Sequence, residues 1–178
     1  MVDMARSTSF VRAVGMADAA LRGRVGDEIG WEPIDPSALQ LHLARASGRT
    51  GAVRAGRVLD FADARAESLG ESLCRVQFHA LGLPAPELQR VFADRRGQII
   101  PDFYFERWDL AVEFDGVGKY LRGRAFHPEL SEAELVLREK RRENRLRRLV
   151  SDVMRVEWAE ALDRRRLSAL LREHRVVL

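Results

Sequence analysis

The chain has 178 residues, 46% of them hydrophobic, which is enough to bury one sizeable core without disulfides. Its 30 basic and 27 acidic residues leave a formal net charge of only +3, so bulk charge gives no argument for a polyanionic partner. The single cysteine, Cys74, excludes an intramolecular disulfide and a cysteine-clustered zinc site, and it indicates a reducing compartment.

The N-terminus has no apolar run of the length that a signal peptide needs. No segment approaches the roughly 20 consecutive apolar residues of a membrane span. We therefore expect a cytoplasmic protein without a membrane partner.

The first third of the chain shows helical spacing of its apolar residues and no clear strand pattern. The pattern predicts helices over about residues 10–21, from Pro36 onward, and over about residues 50–64. We expect a helical N-terminal extension over residues 1–63 and a second domain over residues 64–178.

The second domain shows the order helix, three strands, helix, strand, helix. The predicted helices span about residues 67–81, 131–149 and 160–173, and the predicted strands span residues 87–93, 100–105, 110–115 and 153–158. Gly82 followed by Pro84 ends the first helix, and Ser131 with Glu134 forms a capping box that opens the second. The fold class is therefore α/β, with a three-stranded antiparallel sheet.

A cluster of acids lies on the second and third of these strands. If Phe105 lies opposite Leu110 across a four-residue loop, Asp102 lies opposite Glu113 with β-carbons roughly 4.5–5.5 Å apart. Two carboxylates at that distance repel by roughly 3 kcal/mol at an effective dielectric constant near 20. Without a metal ion, we expect Asp102→Ala or Glu113→Ala to raise stability by relieving this repulsion.

A divalent cation removes the repulsion, and oxygen ligands of this kind suit Mg²⁺ or Mn²⁺. Asp115 follows Glu113 on the same side of its strand, so Asp102, Glu113 and Asp115 are the predicted metal ligands. The alternative is a solvated strand face that carries ordinary surface acids. A register slip of one residue would also separate Asp102 from Glu113.

On the first helix of this domain, 100° per residue places Leu69, Leu73, Val76 and Ala80 in the main apolar stripe. Glu71 lies on a second, mixed strip with Cys74 and Phe78, and it borders buried surface. Glu71 is therefore a candidate third acid beside the strand carboxylates, or a side chain that extends to solvent.

The helix that begins at Ser131 carries a concentration of basic residues. Arg142 falls on its inward side with Glu139, where it is expected to pair with the acid cluster or to meet a phosphate. The candidate nucleic-acid-binding residues are Arg142 and an outward arc made of Arg138, Arg141, Arg145 and Arg148. The alternative is an ordinary solvated helix face.

Taken together, several short motifs resemble the PD-(D/E)XK restriction-endonuclease-like superfamily. More narrowly, they are similar to the uncharacterised domain related to very-short-patch-repair (Vsr) endonucleases that often forms the C-terminal part of actinobacterial AbiEi-like antitoxin or regulator proteins. The resemblance covers about residues 60–175. It is carried by Ser68-Leu-Gly-Glu71-Ser, Pro101-Asp102, Val112-Glu113-Phe-Asp115-Gly116-Val-Gly-Lys119 and Glu139-Lys-Arg-Arg-Glu-Asn-Arg145.

The resemblance implies a restriction-endonuclease-like core and a set of catalytic residues. Glu71 matches the helix acid, Asp102 the central metal ligand and Glu113 the second metal ligand. Asp115 stands where the superfamily usually has a lysine, and Lys119 is a displaced candidate for that lysine. The implied chemistry is hydrolysis of a phosphodiester assisted by Mg²⁺ or Mn²⁺.

The sequence thus favours an enzyme, a Mg²⁺-dependent DNA endonuclease of phage defence or repair. The alternative is a catalytically inactive DNA-binding or regulatory module of the AbiEi-like type, in which the basic helix contacts DNA. A third hypothesis is a protein-interaction domain that uses the helical N-terminal extension. DNA is the expected partner in the first two, and a homodimer is left open.

Overall fold

The computed structural model describes residues 1–25, 29–116 and 131–177. These residues form two compact units, Met1–Val76 and Gln77–Leu178. Within the described ranges, no helix is both long and apolar enough to cross a membrane. The domain boundary predicted between residues 63 and 64 stays a prediction.

The first unit is helical, with one short strand pair. Its elements are α1 (Val2–Ser7), α2 (Phe10–Arg22), β1 (Arg24–Val25), β2 (Ile29–Gly30), α3 (Pro36–Arg45), α4 (Ala52–Phe61) and the first part of α5 (Leu69–Ala80). The three helices predicted from the sequence correspond to α2, α3 and α4. The sequence pattern missed α1 and the antiparallel pair of β1 and β2, because elements of six and two residues are too short to show a period.

Small side chains fill the core of the first unit. Ala5, Ala13, Ala17 and Ala55 are fully buried and belong to one cluster with the neighbouring valines. Small residues let helices approach closely. At the start of α4, a β-carbon on Gly51 would lie only 2.5 Å from the carbonyl oxygen of Arg6. Gly51 also has a positive φ of 82°, so this position requires glycine.

A buried ion pair ties α2 to α5 within this unit. Asp18 is 1% exposed and accepts hydrogen bonds from the Asp63 backbone N–H at 2.8 Å, the Ser72 hydroxyl at 2.7 Å and Arg75 at 2.9 Å. The Arg75 guanidinium also lies over the Phe61 ring, 4.8 Å from its centroid. Burial raises the pKa of the Asp18 carboxyl, although these donors act to lower it. The buried Asp18 carboxylate thus has three hydrogen-bond donors, which offset the cost of its burial.

Removing Asp18 is therefore expected to destabilise the first unit strongly. Asp18→Ala leaves the Arg75 charge buried without its carboxylate, which costs about 3–5 kcal/mol. Urea denaturation measures the change in the free energy of unfolding, and Asp60→Ala, at an exposed position of α4, is the control. Equal effects of the two substitutions would contradict this role for Asp18.

The second unit is a small mixed sheet with helices. Its elements are the end of α5, β3 (Glu87–Leu88), β4 (Phe92–Asp94), β5 (Gly97–Ile99), β6 (Phe103–Phe105), a 3₁₀ turn (Glu106–Trp108), β7 (Leu110–Asp115), α6 (Glu132–Leu146), β8 (Asp152–Glu157), α7 (Trp158–Leu162) and α8 (Arg164–Glu173). The sheet order is β3-β6-β7-β8, and β4 pairs with β5 in a separate hairpin. Pairing is antiparallel except between β7 and β8, which are parallel. The α/β class is confirmed. Within the described residues, five strands rather than the predicted three lie between α5 and α6, and the helix predicted over residues 160–173 is divided into α7 and α8.

The prediction of one strand over residues 87–93 is wrong. The backbone turns at Gln89, which has a φ of 54°, so β3 pairs with β6 while β4 turns away to pair with β5. A left-handed backbone conformation at a non-glycine residue cannot continue a strand. Periodicity alone did not reveal this break.

The helix boundaries agree with their sequence signals. Ser131 and Glu134 form the predicted capping box at the start of α6. Gly82, with a φ of 78°, follows the end of α5 as predicted. On α5, Leu73 and Val76 are buried as expected, but Leu69 is 58% exposed.

The opposite faces of the sheet bury different side chains. On one face, Phe78 of α5 makes edge-to-face contacts with Phe103 and Phe105, with ring centroids 5.5 and 5.2 Å apart. The other face packs against α6 and the segment after it, in a cluster made of Ile99, Tyr104, Ala111, Leu146, Val150 and Val153. Because side chains alternate along a strand, Glu113 shares the α6 face with Ala111.

Asp109 fixes the end of the β6–β7 hairpin. Its backbone has a φ of 45°, and its carboxylate accepts hydrogen bonds from the Tyr104 hydroxyl at 2.8 Å and from the Ser151 N–H and hydroxyl at 2.7 Å. Burial, with the hydrogen bond to Asp109, raises the pKa of Tyr104 to about 12. The hairpin tip is thereby attached to the segment that precedes β8.

Tyr104 is therefore expected to ionise only near pH 12. In a Tyr120→Phe variant, in which Tyr104 is the only tyrosine, absorbance at 295 nm should show about a tenth of it as tyrosinate at pH 11. Because the folded pKa is above the unfolded pKa of about 10, its contribution to stability is full below pH 10 and is lost between pH 10 and 12. Ionisation centred near pH 10 in protein that circular dichroism shows to be folded would contradict this.

Candidate functional site

The acidic strands pair in the register that the sequence predicts. Phe105 lies opposite Leu110 at the hairpin loop, and the same register makes Asp102 and Glu113 the opposed residues three positions along. One carboxylate oxygen of Asp102 accepts a hydrogen bond from the Phe114 backbone N–H at 2.7 Å. The predicted closure of the hairpin is therefore confirmed.

The strand that carries Glu113 is more buried than its pattern predicts. Five of the six residues of β7 are buried, because β7 is a central strand between β6 and β8 and side chains pack on both of its faces. Glu113 itself is 2% exposed. An alternating strand is typically buried on one face only, and β7 differs from that pattern. A carboxylate buried this deeply requires a partner.

Arg142 of α6 is that partner. Its Nη2 atom donates to Glu113 Oε1 and also to Glu139 Oε1 at 3.0 Å, while its Nε atom donates to Glu139 Oε2 at 2.9 Å. Burial acts to lower the pKa of Arg142, but the bonds to Glu139 and Glu113 outweigh it and raise that pKa. Of the two partners expected for Arg142, the acid cluster is the one that the structure shows.

Further ion pairs extend this contact across α6 and β8. Arg155 lies beside Glu113 in the parallel register. Its Nη2 atom donates to Glu143 at 2.8 Å and to Glu139 at 3.3 Å, and its Nη1 atom lies 3.7 Å from Asp115 Oδ2. We call this set the carboxylate–guanidinium network, with members Glu113, Asp115, Glu139, Glu143, Arg142 and Arg155.

The carboxylates do not fit a Mg²⁺ centre in this arrangement. Glu113 accepts a hydrogen bond from the Arg142 guanidinium, and Asp102 accepts one from a backbone N–H. A guanidinium beside a ligand oxygen would repel the positively charged metal ion. Across residues 1–25, 29–116 and 131–177, no group of three or more His, Cys, Asp or Glu side chains is arranged to hold a metal ion. The Mg²⁺ or Mn²⁺ site predicted at Asp102, Glu113 and Asp115 stays a prediction.

The two other predicted catalytic residues are Glu71 and Lys119. Glu71 lies in the first unit, where its carboxylate accepts the Glu67 backbone N–H at 2.7 Å and the Ser68 hydroxyl at 2.8 Å. These bonds cap the start of α5, a capping role that the Ser68-x-x-Glu71 spacing indicates. Lys119 lies outside the described residues.

The outward side of α6 carries exposed basic residues. Arg138, Arg141 and Arg148 are all exposed, and we call them the arginine face. Lys140, to one side of them, is exposed as well. Around α6, Arg141 lies 100° from Arg142 and Arg138 lies 40° from it, and Arg148 follows in the turn after the helix ends at Leu146.

Arg145 does not belong to that outward arc, so this part of the prediction is wrong. Its Nε donates to Asp94 Oδ2 at 2.8 Å and its Nη2 to the Gly97 carbonyl oxygen at 2.9 Å. The bond from Arg145 lowers the pKa of Asp94 to about 2. The Arg145 guanidinium is thus bonded to the β4–β5 hairpin. The helical pattern of the sequence does not reveal where this hairpin lies.

Two network residues, Arg155 and Glu143, were not predicted as site residues from the sequence, although Glu143 lies within the motif that begins at Glu139. A partial signal exists for Arg155, because the alternation of β8 places it on the same face as Val153. Its position beside Glu113 follows only from the parallel register of β7 and β8. For Glu143, nothing in the local sequence distinguishes an inward acid from a surface one.

Comparison with known proteins gives mycobacterial relatives of no stated function. The chain is 35% identical, over 117 residues that make up 65% of its length, to "Uncharacterized protein MT2308" from Mycobacterium tuberculosis (strain CDC 1551 / Oshkosh). It has the same identity over the same length to "Uncharacterized protein Rv2248" from Mycobacterium tuberculosis (strain ATCC 25618 / H37Rv). The match spans 40% of the length of these relatives. No protein-family model matches the chain, and no solved structure matches it.

The Glu113–Arg142 contact reverses the stability effect expected from the sequence. Arg142→Gln leaves Glu113 buried without its cation, so the free energy of unfolding should fall by about 2–3 kcal/mol, less than the full cost of breaking a buried pair because Arg142 is partly exposed. Glu113→Ala should also destabilise the protein rather than stabilise it. Chemical denaturation measures both, with the exposed Arg141→Gln as control.

A double-mutant cycle separates this pair from general charge effects. The Glu113→Gln and Arg142→Gln changes should be clearly less than additive, because each removes the same interaction. Additive effects, or a stabilising Glu113→Ala, would show that the two side chains are not coupled in solution.

Proposed function

We propose that this protein binds DNA through the arginine face of α6, without catalysis of its own. Support comes from the two kinds of basic residue on this helix. Arg142 and Arg145 are bonded to carboxylates, whereas Lys140, Arg141 and Arg148 are exposed and make no ion pair with a residue in the described ranges. Exposed cations on α6 and in the turn after it, unmatched by acids in the described ranges, fit a polyanionic partner.

The arginine face has a length that suits a nucleic-acid strand. Arg138 lies eight residues, or about 12 Å, before the end of α6 at Leu146, and Arg148 follows in the next turn. One strand of duplex DNA places a phosphate about every 3.4 Å along its axis, so the helical part of the face alone spans about three nucleotides. Each neutralised phosphate releases counterions, which makes such binding strong at low salt and weak at high salt.

The acids serve the fold in this proposal. Glu113 holds Arg142, and Glu139 and Glu143 hold Arg155, so that both guanidiniums are committed to the protein. These bonds fix how α6 is rotated about its own axis. A fixed rotation keeps Arg141 and Arg148 turned outward, where they reach a ligand.

The resemblance to the Vsr-related domain of AbiEi-like regulators is compatible with this proposal. Proteins of one fold can retain acidic positions without retaining the chemistry. On this view, the acids that match metal ligands in the superfamily are structural residues here, and the protein acts as a DNA-binding or regulatory module.

The proposal predicts that the arginine face carries the salt-dependent affinity for DNA. Arg141→Gln with Arg148→Gln should weaken binding to a random-sequence duplex by roughly tenfold to a hundredfold at 0.1 M salt, and should lower the slope of log affinity against log salt by about two. Fluorescence anisotropy over a range of salt concentrations measures both quantities.

The matched control is Arg165→Gln with Arg172→Gln, two exposed positions of α8 that give the same change of charge. This control should leave the affinity nearly unchanged. If both double variants weaken binding equally, or if neither does, the arginine face is not the DNA-binding surface.

A metal-dependent endonuclease is the second candidate, and one observation favours it. The network contains four carboxylates and two guanidiniums, so it has an excess of negative charge. Arg147 is a further partner of Glu143, and Asp102 adds another acid opposite Glu113. Incubation of supercoiled plasmid with protein and Mn²⁺ separates the candidates. Nicking that is lost in both Asp102→Asn and Glu113→Gln would replace the non-catalytic proposal with this one.

A further inference from the structure

Asn144 interrupts the exposed basic side of α6. At 100° per residue, Asn144 lies 60° from Arg141 on the same side of α6, and Arg148 follows in the turn after the helix ends. Asn144 is exposed, and its side chain makes no hydrogen bond with another residue in the described ranges. Its amide group is thus turned to solvent between two arginines.

The fold gives no reason for an asparagine at this position. Asparagine is a weaker helix former than alanine, lysine or arginine, because its side chain competes with the backbone for hydrogen bonds. Asn144 neither caps α6, which ends at Leu146, nor packs in the core. A surface that only attracted phosphates would gain more from another basic residue.

An exposed amide between arginines is suited to reading bases. Asparagine forms a pair of hydrogen bonds with N6 and N7 of adenine, and arginine forms a pair with O6 and N7 of guanine. Both base edges lie in the major groove, which is about 12 Å wide and admits an α-helix. The minor groove presents neither pair of atoms and distinguishes little more than A·T from G·C.

The spacing of the side chains on α6 also fits neighbouring base pairs. Arg141 and Asn144 are three residues apart, or about 4.5 Å along the helix axis, which is close to one base-pair step of about 3.4 Å. Arg148 follows in the turn after the helix ends. Arg142 and Arg145 are bonded to Glu113 and Asp94, so they are not part of this exposed face.

We propose that α6 reads the major groove of double-stranded DNA and that Asn144 is its adenine-recognising residue, an inference that rests on the proposed DNA-binding function. Arg141 and Arg148 flank it, in contact with guanine or with the adjoining phosphates. The ligand is thus a duplex with a preferred short sequence rather than any polyanion.

Selection from a random duplex library by the full chain, followed by sequencing, tests this directly. The enriched duplexes should share an adenine within a core of three or four base pairs. Replacing that A·T pair should weaken binding by roughly 5- to 150-fold, the discrimination expected from one pair of base contacts. A single strand of the same sequence should bind without this preference.

Asn144→Ala separates recognition from general affinity. This variant should lose the preference at the adenine position while its affinity for random duplex and the salt dependence stay as in the wild type. Its melting temperature should be unchanged or higher, because alanine favours the helix. Gln98→Ala, which removes an exposed amide from β5, is the control and should keep the preference.

The possible failures are distinguishable. If the wild type binds no duplex, the proposed function itself is overturned. If it binds duplex without enriching any sequence, or if Asn144→Ala enriches the same sequence with the same discrimination, DNA binding stands and base recognition by Asn144 is overturned.

Discussion

The ion pair between Glu113 and Arg142 is the contact on which the arrangement of the second unit depends. Glu113 lies on the central strand β7, where packing on both faces removes it from water, so its charge requires a cation within hydrogen-bonding distance. The chain supplies that cation from α6, 29 residues later in the sequence. Once Arg142 is fixed toward the sheet, helical geometry turns Arg141 and Asn144 outward. A buried charge inside the unit thus determines which residues its surface presents.

The first unit also buries an acid that an arginine neutralises. Asp18 is buried in a core made largely of alanine and valine, and Arg75 neutralises it while also packing on the Phe61 ring. In both units, the acid accepts a hydrogen bond from an arginine that comes from a helix. Pairs of this kind specify one packing arrangement more than they add to stability, since each costs desolvation that its contacts must offset.

Much of the second unit could be predicted from its sequence, and so could one half of the candidate site. The hairpin closed by Phe105 and Leu110, the capping box at Ser131 and the inward position of Arg142 are all present. The strand over residues 87–93 was wrong because a left-handed backbone at Gln89 leaves no periodic signal. The outward position of Arg145 was wrong because its partner, Asp94, lies 51 residues away on a hairpin with its own orientation.

By itself, the sequence determined the helices, the caps, the β6–β7 register and the presence of acids and arginines in the same region. Each of these depends on residues within a few positions of one another, or on one short loop, so local periodicity and turn geometry suffice. Only the tertiary structure decided that β8 joins β7 in parallel and that β7 is therefore buried on both faces. That burial is what makes Arg142 the partner of Glu113 and leaves Arg141 and Arg148 to the solvent, because the cost of an isolated buried charge selects one guanidinium from a helix that carries several.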